Sequence, residues 1–280
     1  MLLLILVAGL LSVRGIARNG GGQNPAGMNQ AFQAEANPVE RKRVPVAVEL
    51  FTSEGCSSCP PADALLARLV KEQPVPGVEI IALGEHVDYW NRLGWRDVYS
   101  SAAFSARQGD YARSIGAESV YTPQMVVDGR VEFVGSDERR AREAIATAAQ
   151  TPKLSIQLTR LENKPAEELD KVHLQIRIER LPAPGVAKDA EILLAVTEDE
   201  LESNVTSGEN AGRLIRHAAV VRKLQSVGKL HGRPNEDFVA EPVVTIPEEW
   251  KRQNSHAVVL VQEKRSRRVL GAATMTLALQ

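Results

Sequence analysis

Apolar positions change their spacing along the chain, and that spacing predicts the elements. Val46 to Phe51 is one apolar run and Val78 to Leu83 another, both reading as strands. Between them Leu65, Leu66, Leu69 and Val70 recur at helical spacing, and Pro74-Val75-Pro76-Gly77 breaks the segment. Ser101 to Ile115 predicts a helix, with Phe104, Tyr111 and Ile115 at helical spacing and Gly116 as C-cap. Gln124 to Val127 and Val131 to Val134 predict two strands joined by Asp128-Gly129, a two-residue hairpin signal. Ser136-Asp137 then caps a helix over Glu138 to Ala149. The predicted order is βαβαββα.

After Thr151-Pro152-Lys153 the pattern shifts to alternation. Leu154 to Leu158, Val172 to Ile178, Glu191 to Thr197, Val258 to Gln262 and Val269 to Leu279 read as strands, with weaker ones over Arg213 to Leu224 and Phe238 to Ile246. Strands separated by Pro and Gly turns predict an antiparallel sandwich. A chain of 280 residues suggests two domains, an α/β one over 43–150, expected to fold alone, and a mostly β one over 152–280.

Met1 to Leu11 is almost wholly apolar but about half the length that spans a bilayer, so residues 1–17 are expected to be a signal peptide or membrane leader. Residues 18–42, rich in Gly, Asn and Gln, read as a disordered linker. Export, to the periplasm, the exterior or a membrane-anchored position, would place the chain in an oxidising compartment. Hydrophobic residues make up 44% and charged ones 25%, which fits a globular core. A net charge of −1 argues against nucleic-acid or anionic-membrane binding.

The chemistry concentrates at the chain's 2 cysteines, Cys56 and Cys59, between the first strand and the first helix. Residues three apart share a helix face, so the two sulfurs can meet and form a disulfide. Free N–H groups at a helix start favour a thiolate. Pro60 and Pro61 suit a first turn, where a backbone N–H has no partner anyway. A redox-active dithiol of thioredoxin-like arrangement is the leading reading. A structural disulfide closing a loop of about four residues contributes only about 2 kcal/mol. Structural zinc wants four ligands, and no second cysteine pair or paired histidine motif is present.

Four motifs in order carry a family resemblance: Glu49 to Asp63 (ELFTSEGCSSCPPAD), His86 to Trp90 (HVDYW), Leu93 to Trp95 (LGW) and Val120 to Gly129 (VYTPQMVVDG). Residues from 46 to about 150 resemble a family of exported thioredoxin-like proteins of unknown function, found mainly in bacteria. The resemblance implies a thioredoxin-like fold and a cis proline, Pro123, facing the dithiol just before the third strand. An X-Pro bond is the one where cis is cheap, and such a proline leaves a strand edge free for a substrate peptide. Gly55 and Ser57-Ser58 depart from thioredoxin's own pattern at positions that tune redox poise.

Thr122, His86 and Trp90 are read as the substrate wall around the dithiol, with Trp90 shielding it. Glu54, a lone carboxylate beside a turn, reads as solvated. Glu198-Asp199-Glu200 with Glu202 reads as a charged loop, and Lys264 to Arg268 as a solvated hairpin turn. His173, His217, His231 and His256 are scattered and receive no ligand role. The expected activity is thiol–disulfide exchange with protein thiols and disulfides, without a cofactor. Cys56 attacks and Cys59 resolves. Two rivals stand beside it. One is Cu(I) handling by Cys56, Cys59 and His86, since soft thiolates suit that ion. The other is a non-enzymatic envelope binding module.

Overall fold

Strand β1 (Val44–Thr52) is buried along nearly its whole length, which is why its apolar run lacks alternation. Val46, Val48 and Leu50 pack under helices α1 (Pro60–Glu72) and α3 (Glu138–Ala148) through Leu65, Leu66, Leu69 and Ile145. Ala47 belongs to a second cluster, with Phe104 of α2 (Ala102–Ile115). Asp137 caps α3, as its sequence signal predicts, and Ser101, expected inside the second helix, is the N-cap of α2. The computed structural model describes residues 43–161, 170–179, 188–231 and 237–278. The leader and linker expected over 1–17 and 18–42 lie outside them.

Strand β2 (Val78–His86) pairs with β1 in parallel, while β3 (Gln124–Val127) pairs with it antiparallel and carries β4 (Val131–Val134) at the edge. The sheet does not end at β2. Strand β10 (Val220–His231) meets its outer edge in parallel at Val220 and Gly84. Beyond β10 come β7 (Lys188–Glu198), β13 (Ser255–Glu263) and β14 (Val269–Thr276), making one 8-stranded mixed sheet ordered β14-β13-β7-β10-β2-β1-β3-β4. A smaller sheet of β5 (Ile156–Arg160), β6 (Lys171–Ile178), β11 (Phe238–Ala240) and β12 (Val243–Thr245) shares an apolar core with β7 and β13. Strands β8 (Leu201–Val205) and β9 (Arg213–His217) form a separate two-stranded hairpin.

This corrects the expected fold class. The protein is mostly β, with three α-helices among the described residues, and one mixed sheet runs through both halves. It is not an α/β thioredoxin-like domain followed by an antiparallel β domain. Periodicity identifies strands but not the edges they join. The halves meet at tight places. At Gly84 the N–H donates to the Ala219 carbonyl at 2.7 Å, and a Cβ there would stand 3.2 Å from the Ala218 oxygen. At Gly129, a Cβ would lie 1.9 Å from the Arg267 carbonyl oxygen, so only glycine fits. Asp128 beside it accepts from the Ala47 N–H at 3.0 Å and ion-pairs with the buried Lys153. Asp128-Gly129 therefore turns a hairpin, through three residues with Arg130 rather than the expected two, and also fastens it to the β13–β14 turn.

A third joint is polar. Arg107 of α2 reaches Glu49 at 2.7 Å, Glu85 at 3.1 Å, Gln262 of β13 at 3.0 Å and the Tyr111 hydroxyl at 3.0 Å, all buried. Burial, only partly opposed by Arg107, pushes the Glu85 carboxyl well above its usual range.

Candidate functional site

The chain leaves β1 at Thr52 and turns through Ser53 to Ser58 before α1 begins. Cys59 is the N-cap of that helix, with proline in its first turn. Cys56 and Cys59 form a disulfide with a Cα–Cα separation of 5.4 Å. Both cysteines are 0% exposed, whereas Ser57 and Ser58 between them are exposed.

Three expected neighbours gather at this loop. The Thr122–Pro123 peptide is cis, as the resemblance implied. The Ser58 hydroxyl lies 3.5 Å from the Thr122 carbonyl, and the Trp90 indole N–H donates to the Thr122 hydroxyl at 2.8 Å. Trp90 is half-buried, and a Cβ on Gly55 would come within 3.2 Å of its Cβ. Small Gly55 thus lets Trp90 close on the cysteine loop.

His86 is placed differently. It is 1% exposed, and its Nδ1 meets Asp97 Oδ2 at 2.7 Å. Burial pulls the His86 pKa down, but Asp97 outweighs this and holds it above its usual value. Asp97 is held below its usual range: burial opposes ionisation, but His86 and the N–H groups of Glu54 and Tyr99 favour it more. Around this pair lies a buried polar cluster. Glu54, read from sequence as solvated, is 0% exposed and accepts from the Trp95 indole at 2.7 Å. His217, given no role from sequence, sets its ring 4.8 Å from that of His86 and its Nε2 3.3 Å from Glu54 Oε1. Asp63 accepts from the Thr52 hydroxyl at 2.8 Å, and burial raises its pKa. Glu54 Oε1 and His217 Nε2 have only each other, while Asp63 Oδ2 and His217 Nδ1 make no hydrogen bond. No group of three or more His, Cys, Asp or Glu among the described residues is arranged to hold a metal ion. His86, weighed as a third copper ligand, is engaged by Asp97.

The tip of the β8–β9 hairpin completes the site from far along the chain. The Asn210 side chain is fully buried and its amide donates to the carbonyls of Glu54 at 2.8 Å and Cys56 at 2.9 Å. Glu209 accepts from the Ser57 N–H at 3.1 Å. The acidic stretch expected as a charged loop is one at Asp199 and Glu200, while Glu198 ends β7 and Glu202 lies on β8, where Leu201 and Val205 are buried. Turn residues at Ser207-Gly208 and Asn210-Ala211-Gly212 were the available hairpin signal. Nothing in sequence says where such a tip docks.

A family model described as a protein of unknown function (DUF1223) matches residues 47–262. The chain belongs to the DUF1223 family. That match runs from β1 into β13 and includes the β8–β9 hairpin, leaving only β14 of the mixed sheet outside it. A crystal structure of an Agrobacterium tumefaciens protein is similar to this DUF1223 chain at 26% identity and a TM-score of 0.63, covering 85% of this chain and 96% of that one. HBP35 of Porphyromonas gingivalis is similar in fold at 12% identity and a TM-score of 0.59, over 84% of this chain and 75% of that one. No curated protein matches the chain.

Proposed function

We propose that this protein performs thiol–disulfide exchange on exported protein substrates through Cys56 and Cys59. The observation that carries the reading is the pair itself: two sulfurs at the start of α1 joined as a disulfide, beside the Thr122–Pro123 edge. A loop this short adds little stability as a staple. In the reduced protein, the Cys56 thiolate attacks one sulfur of a substrate disulfide and releases the other as a thiolate. Cys59 then loses its proton and attacks Cys56, which restores the internal disulfide and frees the second substrate thiol. The substrate gains two electrons and the protein dithiol loses them; the reverse sequence oxidises a substrate dithiol. Thr122 and Pro123 border the approaching strand, and Trp90 walls it. The exported location rests on the apolar run Met1 to Leu11.

The test is intermediate trapping. Cys59→Ser is expected to accumulate mixed disulfides with envelope proteins, visible on non-reducing gels, while Cys56→Ser accumulates none. Equal trapping by both variants would reverse or remove the assigned roles. Full enclosure of both sulfurs favours the rival binding module with a retained disulfide, and that reading takes over if neither variant traps anything.

A further inference from the structure

Exchange requires a thiolate to reach a sulfur, yet neither cysteine exposes any surface. What lies on their loop is the β8–β9 tip, residues 206–212. The tip is exposed and polar except for Asn210, which points inward and is fully buried. Its amide spends both hydrogens on the Glu54 and Cys56 carbonyls, and its oxygen accepts from Arg213 at 3.0 Å. Glu209 takes the Ser57 N–H, and the Ser207 hydroxyl donates to the Gly94 carbonyl. These hydrogen bonds, with Gly208 lying against Trp95, hold the tip, whereas buried apolar Leu201, Val205 and Ile215 seat the rest of the hairpin. Gly208 and Gly212 within the tip both hold positive φ, 74° and 82°, at positions where glycine moves without side-chain strain. The hairpin also belongs to neither larger sheet, so its tip can shift without breaking their ladders.

The closed arrangement carries its own counterweight. Glu54, held by its carbonyl under Asn210, keeps Oε1 buried with only the His217 Nε2 contact at 3.3 Å, and His217 Nδ1 is buried without a hydrogen bond. Buried polar atoms left unpaired disfavour the state that buries them, and hydration relieves them.

We infer that residues 206–212 are a latch over the Cys56–Cys59 disulfide, with Asn210 as its principal fastening, and that the latch must open before any thiol reaches the pair. Regulation of the site then lies in the hairpin: a partner that displaces the tip admits a substrate, and small thiols enter only as fast as the tip opens. The latch serves the exchange proposed above, while its test reads access to the sulfurs alone, so the two can fail separately.

The experiment follows reduction of the oxidised full-length protein by excess dithiothreitol and, separately, by a phosphine reductant. Asn210→Ala removes two buried hydrogen bonds and is expected to speed reduction by about tenfold or more with both reagents. Amide exchange at Ser57 should quicken alongside, with the thermal midpoint of the sheet little changed. Glu209→Ala removes only an exposed contact and cannot unfold the protein; it is expected to speed reduction by about threefold. Reduction of Glu209→Ala, and of Asn210→Ala where it folds, within twofold of the parent rate would overturn the latch. So would faster reduction without faster Ser57 exchange.

Discussion

At the scale of single residues, the buried His86–Asp97 pair gives the clearest pH signature. Asp97 is held below its usual value of about 3.9, so its contribution to stability is present above that pH and is lost as pH falls through the lowered folded value. His86 is held above its usual value of about 6.5, so its contribution is present below that pH and is lost as pH rises through the raised folded value. Both contributions coexist between about pH 4 and pH 6.5. Asp97→Asn is therefore expected to be most destabilising there, by about 3 kcal/mol, and less so towards either extreme. Urea unfolding of both proteins at pH 3, 5.5 and 9 checks this; a penalty that does not vary with pH would contradict it. Asp63 has the opposite sign. Its folded pKa is raised, so the stability it contributes is present below about pH 3.9 and disappears as pH climbs through the folded value. The cysteines, Trp90 and Thr122 were legible because they stand in short motifs. Glu54 and His217 were not, because each looks ordinary until the fold buries it against the other.

At the scale of elements, caps and turns were legible and edges were not. Asp137 and Gly116 announce their helix ends, since side chain or backbone freedom answers a local need. The segment Arg213 to Leu224 reads as one strand, but the chain breaks at Ala218-Ala219 to leave the hairpin and enter the main sheet. Phe238 to Ile246 likewise divides around Pro242, which cannot donate to a ladder. Asp128-Gly129 announces a hairpin, but its second task is invisible locally because Arg267 lies far along the chain. Gly129→Ala tests that task. Its Cβ would overlap the Arg267 carbonyl, and its φ of 63° disfavours a side chain. A loss of about 3 kcal/mol is expected, well beyond the roughly 1 kcal/mol of the turn conformation alone. Thermal unfolding measures it, and a loss no larger than that lower figure would mean the joint carries no weight.

At the scale of the molecule, the joints between the halves decide what can stand alone. A fragment of residues 43–150 would lack Lys153, Gln262 and β10, and would expose the face where Ala47, Ile81 and Leu83 meet Leu193, Val221 and Leu260. Such a fragment is expected to unfold without a cooperative transition, whereas the full chain unfolds in one. Tryptophan fluorescence and circular dichroism in urea would show this; a cooperative fragment would mean that the shared sheet is not a shared folding unit. The β2–β10 seam also has a consequence for biogenesis. Gly84 and Val220 are neighbours in space but far apart in order of synthesis. Loop closure over such a span is entropically unfavourable, and a topology of high contact order folds slowly. A chain emerging N-terminus first therefore holds the β2 edge unpaired until most of its length has been made. Such an open edge invites mispairing with other chains, so the interval before β10 arrives is when a chaperone has most to protect.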